Sequence, residues 1–423
     1  MTPRFRGGPI AGAGTLVALV LAGHGLLPNR WGMGNVLDSA LPWLGLAVPV
    51  LALAALAGRT RLASAGVVIP AVTWAVIFGP AFARTPPSGP RDLRVVHQNV
   101  NLANGDLART ARALRATGAD VLVAVEVPDD PVLRNGTVHP AFAGEIDPAY
   151  PYRFPDNPGV AVWSRYPVLG TPRPVPGVER SRWAILRTPW GPVSLYAVHL
   201  ASFRPGRPSV IALRNAEAEA LARAIRADHS PLVVVAGDLN TAATDREMGP
   251  LTETLTSVAD QAGTGLQFTW PAPLPVVRLD HVLVRGFAAV ASRVLPASVS
   301  DHRAILADLR VPSPRPVARP SARRPAKRMA RSRSAAGRSS RVTPAAGGRS
   351  PPRARATSAS QRRQCRAKAV AVTTRPRDSC PWRAMPGSTS SRIRWTSPPV
   401  RRASQAKPYR MCDQVPRVCA TTS

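Results

Sequence analysis

The sequence predicts an α+β fold in which two β-sheets pack together with helices outside. Three transmembrane helices precede it and a disordered basic tail follows. Three observations lead there: apolar stretches open the chain, strand-like runs outnumber helical ones from 93 to about 310, and apolar periodicity stops beyond 311. The expected division is a membrane region 1–83, a linker 84–92, a domain 93–311 and a tail 312–423.

The apolar stretches are 10–27, 36–57 and 62–83, each close to the roughly 20 residues that cross a bilayer. The first is interrupted by Gly23, His24 and Gly25 and reads either as a span or as a cleaved signal peptide. His24 is expected to reach the interface. Arg4 and Arg6 precede the first stretch, and Arg59 and Arg61 separate the second from the third. The positive-inside rule places these arginines in the cytoplasm and everything after residue 84 outside. The linker "RTPPSGPRD" reaches at most about 30 Å and holds the domain near the lipid.

Within the domain the strand-like runs are "LRVVHQNVN", "VLVAVEV", "GVAVWSR", "RWAILRT", "VSLYAVHL", "PLVVVAGDLN", "LDHVLVRG" and "AILADLRV". Helical spacing marks 106–117 and 209–228. The net charge of +32 suggests a nucleic-acid partner, but 27 of the 56 basic residues lie in 311–423 beside only Asp378 and Asp413. Residues 93–310 hold 22 basic and 20 acidic residues, too balanced for the many phosphate contacts that duplex binding needs. The Arg/Pro/Ser-rich tail reads as disordered. It is either a segment for anionic polymers or lipid head groups, or an out-of-frame extension. Its four cysteines fit no zinc spacing.

Apolar strands in this domain repeatedly end in polar residues. "VVVAGDLN" delivers Asp238 and Asn240, two apart, which on a strand would share a face; a turn is the competing reading. Asn99, Glu126 and His199 close three other strands, while Asp280-His281 and Asp301-His302 stand before two more. A shared polar centre of this composition suits phosphoester hydrolysis. Hard oxygen ligands favour Mg²⁺ or Mn²⁺ over zinc, and a carboxylate-oriented histidine can bond a phosphoryl group or move a proton. For Asn99 a turn cap, and for His199 a satisfied core histidine, remain alternatives. His281 faces away from Asp280 and reads as structural. Arg214 is either a salt-bridge partner or a phosphate contact, Ser164-Arg165 a turn or a motif. His97, His139 and His229 look incidental, and Trp163, Trp183 and Trp190 look like core.

Through "QNVN", "ADVLVAVEV", "GVAVWSRYPV", "YAVHL", "GDLN", "RLDHVLV" and "SDHRAI", residues 93–310 resemble the endonuclease/exonuclease/phosphatase superfamily. The resemblance implies a four-layer α/β/β/α sandwich of the DNase I-like kind and a Mg²⁺ or Mn²⁺ cofactor. It also implies metal ligands Asn99 and Glu126 with Asp301 helping, Asp238 orienting water and Asn240 holding phosphate. His302 would be the catalytic imidazole oriented by Asp280, and His199 a second imidazole near the leaving group. Three spans before such a domain are similar to actinobacterial membrane proteins linked to teicoplanin resistance (the VanJ type). That layout implies a lipid-linked phosphate substrate resembling undecaprenyl pyrophosphate. A surface nuclease and a non-catalytic binding protein are the alternatives.

The charge distribution makes one expectation testable. A reporter fused after residue 310 should behave as extracytoplasmic in living cells; cytoplasmic behaviour would refute three crossings with an external domain.

Overall fold

The protein is described by a computed structural model over residues 7–58, 60–130, 137–154 and 159–312. The tail with its cysteines, and Arg4, Arg6 and Arg59 of the orientation argument, lie outside the described residues.

Helices α1 (Gly8–Gly23), α2 (Met33–Ala40), α3 (Ala47–Gly58) and α4 (Arg61–Ala83) form the apolar N-terminal region. Segments 8–26, 30–56 and 61–83 are long and apolar enough to cross a membrane. The second differs from the expected 36–57. Its helical path starts at α2 and runs through a 3-10 segment, Leu41–Leu46, into α3. Residues 41–58 alone extend about 30 Å, enough for the hydrocarbon core. α2 is therefore not needed for the length of a crossing. It carries two polar residues three apart, Asn35 and Asp38, both fully buried and on one helix face. Both meet residues of the domain. His24 does more than reach an interface, for its Nδ1 lies 2.7 Å from Asp38 Oδ1.

In chain order the domain comprises β1 (Leu93–Asn99), α5 (Leu107–Ala116), β2 (Val121–Val125), α6 (Pro140–Ile146), β3 (Tyr152–Arg153) and β4 (Val160–Ser164). Next come β5 (Val168–Val175), β6 (Val178–Thr188), β7 (Gly191–His199), α7 (Pro208–Ala227) and β8 (Leu232–Asp238). Last are β9 (Thr256–Ser257), β10 (Asp280–Arg285), β11 (Ala288–Val294) and β12 (Ile305–Arg310). One six-stranded sheet has the order β11-β12-β1-β2-β4-β3, the other β5-β6-β7-β8-β10-β9. All eight strands expected from sequence form. The four that the sequence did not announce, β3, β5, β9 and β11, are the four sheet edges. β5 contains Gly170, Pro172 and Pro174, residues that only an edge tolerates.

Strand alternation builds the layers. Val95 of β1, Val123 of β2, Leu195 and Ala197 of β7, Val234 and Ala236 of β8, and Val282 of β10 meet between the sheets. Their neighbours face outward. Val96 and Leu122 pack under Leu107 and Leu114 of α5 and Phe142 and Ile146 of α6. Tyr196, Val198, Val233 and Val235 pack under Ala218, Leu221 and Ile225 of α7. The result is the four-layer α/β/β/α sandwich. Asp106 starts α5 by accepting the Arg109 N–H at 2.9 Å.

Gly237 explains why a glycine precedes Asp238. β7 and β8 run parallel with Val198 opposite Gly237, and a Cβ there would lie 1.9 Å from the Val198 carbonyl oxygen. Gly237→Ala must therefore push two central strands apart. It should cost at least the ~1–3 kcal/mol typical of core overpacking and lower the thermal midpoint of the purified protein. An unchanged midpoint would contradict this account of the strand pair.

Candidate active site

The inward-facing sets of the central strands become polar at one end. Continuing the alternation, Val95 is followed by His97 and Asn99 on β1, Ala197 by His199 on β7, and Ala236 by Asp238 on β8. β10 enters with Asp280. Register aligns three of them, since Asp238 lies opposite His199 on one neighbour and Asp280 on the other. The site is thus the polar end of the inter-sheet core.

Two residues break the alternation to join it. Glu126 follows the inward Val125 and would face outward as a strand residue, but its φ of 51° turns it; its Oε1 accepts from Asn99 Nδ2 at 3.1 Å. Asn240 has φ 47°, and its backbone N–H donates to Asp238 Oδ1 at 2.9 Å. The strand has ended by then, so the same-face argument for Asp238 and Asn240 gives way to a turn. The turn itself keeps them together. Such left-handed residues outside glycine concentrate where structure is tightly determined.

Asp280 is fully buried and bonded on both oxygens. His97 Nε2 lies 2.9 Å from Oδ1 and His302 Nδ1 lies 2.8 Å from Oδ2. Contrary to the sequence reading, His97 is therefore not incidental. Its position two before Asn99, on the same strand face, was the available signal. Burial by itself would favour a neutral carboxyl, but the His302 charge and the two imidazole bonds hold Asp280 well below the usual carboxylate range. Burial likewise opposes a charged His302, yet the Asp280 carboxylate beside it raises its pKa to about 10. Asp238 is pushed up to about 6, mainly by burial and then by the Asp280 charge. His199 is held well below its ordinary value by burial and by Arg180. It is a neutral imidazole, 3.3 Å from Glu126 Oε1, with neither ring nitrogen hydrogen-bonded.

Among the described residues, two groups of acid and imidazole side chains could hold an ion within reach of three ligand atoms: Glu126, His199 and Asp238; and Asp238, Asp280 and His302. The second is compromised, because Asp280 is engaged by two imidazoles and His302 is a cation. The first fits a divalent cation. It offers two carboxylates, Glu126 half-exposed to solvent, beside the buried unpartnered His199 nitrogens. Asn99 lies between the carboxylates, its Nδ2 donating to Glu126 and Asp238 and its Oδ1 accepting from Asn101 N. Asp301 belongs to neither group. Its exposed carboxylate accepts from Asn101 Nδ2 at 2.9 Å and Trp270 Nε1 at 3.4 Å.

The remaining candidates resolve as scaffold. Arg214 is fully buried and donates to Asp245 Oδ2 at 2.9 Å and Asn240 O at 3.1 Å, so it is a salt-bridge partner. Ser164 closes a turn with Tyr166. His281 faces the other way, against Thr241 O at 2.9 Å, its pKa lowered to about 4 by burial and Arg278.

The Asp280–His302 pair has a pH signature. A pKa raised from its unfolded value of about 6.5 means that the charged ring stabilises the fold fully below that value. The contribution is lost as pH rises toward about 10. Nitrogen-15 NMR of the metal-free protein should find His302 doubly protonated at neutral pH, and Asp280→Asn should bring its midpoint below the ordinary histidine range. A wild-type midpoint near the ordinary value would refute the pairing.

Residues 96–302 match the family model described as "Endonuclease/Exonuclease/phosphatase family". Solved structures with a similar fold include an endonuclease/exonuclease/phosphatase family protein from Leptotrichia buccalis, 14% identical, covering 52% of this chain and 99% of that one, with TM-score 0.42. One from Bacteroides vulgatus is 16% identical over 53% and 100%, with TM-score 0.42. The Bacteroides thetaiotaomicron mannosyl-6-phosphatase is 14% identical over 52% and 99%, with TM-score 0.39. No curated protein sequence matches the chain. Residues 96–302, just under half of the chain, thus match a family of hydrolases that act on phosphate esters.

Proposed function

We propose that this protein is a membrane-anchored, extracytoplasmic, Mg²⁺- or Mn²⁺-dependent phosphoesterase whose substrate is a phosphate ester or pyrophosphate carried on a lipid. Glu126 and Asp238 would hold the cation with His199 alongside. The cation would polarise a phosphoryl oxygen and offset the charge that builds there. Asp238 would also orient the attacking water beside the cation. His302, fixed by Asp280 and His97, directs its Nε2–H at the phosphoryl oxygens, where an imidazolium stabilises developing negative charge. Asn240 gives one amide hydrogen to Leu200 O and keeps the other for the phosphate. The neutral His199 stands ready near the leaving group.

The observation that carries the lipid reading is the course of the segment from Leu266 to Asp280. At one end Leu266 and Phe268 line an apolar cavity of about 410 Å³ with Trp43 of the second crossing and Trp74 of α4. Phe268 stacks on Trp43, and Trp43 Nε1 donates to Val276 O at 2.8 Å. At the other end Thr269 accepts from the Leu279 and Asp280 backbone, and Trp270 touches Asp301. One loop joins the membrane helices to the centre, which suits a substrate whose chain stays in lipid while its phosphate reaches the site.

The test uses the full chain in lipid nanodiscs. Undecaprenyl pyrophosphate should be hydrolysed with Mg²⁺ or Mn²⁺, chelation should abolish turnover, and DNA should be a poor substrate. Undiminished activity in chelator would sink the metal assignment, whereas preference for DNA would replace the lipid reading with a surface nuclease.

A further inference from the structure

The membrane region does more than tether the domain. Asp38 of α2 is buried without solvent exposure in a segment otherwise apolar enough to cross a membrane. An isolated buried carboxylate is costly, and here every partner is supplied. His24 Nδ1 approaches Oδ1 at 2.7 Å; Arg246 reaches Oδ2 with its backbone N–H at 3.1 Å and Nε at 2.8 Å, and Oδ1 with Nη2 at 3.1 Å. Arg246 also caps the first crossing, donating to Leu27 O at 2.7 Å and His24 O at 3.0 Å. α2 approaches so closely that a Cβ on Gly34 would lie 2.7 Å from the Arg246 guanidinium.

A second line of bonds leads from α2 into the centre. Asn35, fully buried, donates to Asp245 Oδ1 at 2.8 Å. The other oxygen of Asp245 accepts from Arg214 Nη1 at 2.9 Å, and the same Nη1 donates to the carbonyl of Asn240 at 3.1 Å. Asn240 in turn, at its positive φ, donates its backbone N–H to Asp238. Three contacts therefore separate a membrane-region side chain from the backbone of the residue assigned to phosphate.

We propose that Asn35 and Asp38 are positioning residues for the phosphoesterase centre, latching the loop 240–247 so that Asn240 and Asp238 hold their working geometry only when the domain is docked on its own helices. The inference rests on the phosphoesterase reading above and concerns the control of that same site. Neither residue touches substrate. They act through Asp245, Arg246 and Arg214, and they make activity depend on the packing of the membrane helices.

The experiment uses the full chain in nanodiscs with Asn35→Ala, Asp38→Asn and the double variant. Turnover of bis(p-nitrophenyl) phosphate with Mg²⁺ reads the centre without any lipid chain. Loss of the latch should lower kcat by about tenfold with KM within about twofold, and the double variant should fall well short of the product of the singles. Hydrogen exchange of amides 239–248 supplies a readout independent of chemistry and should quicken by about tenfold, with β1 and β10 unchanged. If wild type is active and the variants keep both its kcat and its exchange, the latch is overturned. Quickened exchange throughout β1 and β10 overturns it too, since the domain would have loosened as a whole. If wild type hydrolyses no phosphoester, the functional reading fails, while the exchange measurement still decides the latch.

Discussion

The structure turns on a carboxylate that bridges two sheets. Asp280 belongs to the β5–β10 sheet, yet its oxygens are held by His97 on β1 and by His302 just before β12, both of the opposite sheet. Asn99 and Asp238 make a second crossing nearby. Hydrophobic packing alone leaves two stacked sheets free to settle in several registers. Buried polar groups that must find partners do not allow that, because an unpaired buried carboxylate is far more costly than a slightly misfitted methyl. The same bonds that fix the sheets fix the charge states. They leave one imidazolium, one ionised acid and one acid near neutrality within a few ångströms.

The chemistry occupies the end of the core because the core's own periodicity delivers it there. His97, Asn99, His199, Asp238 and Asp280 are the next inward residues after a run of valines, alanines and leucines. They inherit a rigid backbone, held in register by neighbours on either side. The two residues that need another direction, Glu126 and Asn240, obtain it by leaving the strand conformation at positive φ. A site built this way has its rigid parts in strands and its adjustable parts in the turns that follow them.

Those turns are also where the membrane region takes hold. The 240–247 loop is shared between the centre on one side and α2 on the other, with Arg214 filling the space between them. The 264–280 segment repeats the arrangement, packing Phe268 on Trp43 and passing on to Asp280. The domain thus meets the apolar N-terminal helices at loops that frame its reactive groups, and also at Ile211 of α7 beside Gly32. Its outer helices α5 and α6 cover the opposite sheet.

How much of this was legible in the sequence follows from the range of the forces involved. Central strands were readable, since burial on both faces demands long apolar runs, and so were their polar ends, which stand out against those runs. Edge strands such as β5 and β11 were not, because an edge is held by pairing with one neighbour and needs no strong pattern of its own. Glu126 was found as a strand end, but its direction depends on one backbone angle that no local pattern encodes. His97 and Asp38 were passed over for a common reason. A lone histidine or acid in an apolar run has no meaning until its partner is known, and the partners, Asp280 and Arg246, lie 183 and 208 residues away. The sequence by itself determined the layers, the three apolar helical segments and the kinds of group in the centre. Tertiary structure decided which groups are charged, which acids and imidazoles come together and what the apolar N-terminal helices touch, because charge state and pairing depend on burial and distance rather than on order along the chain.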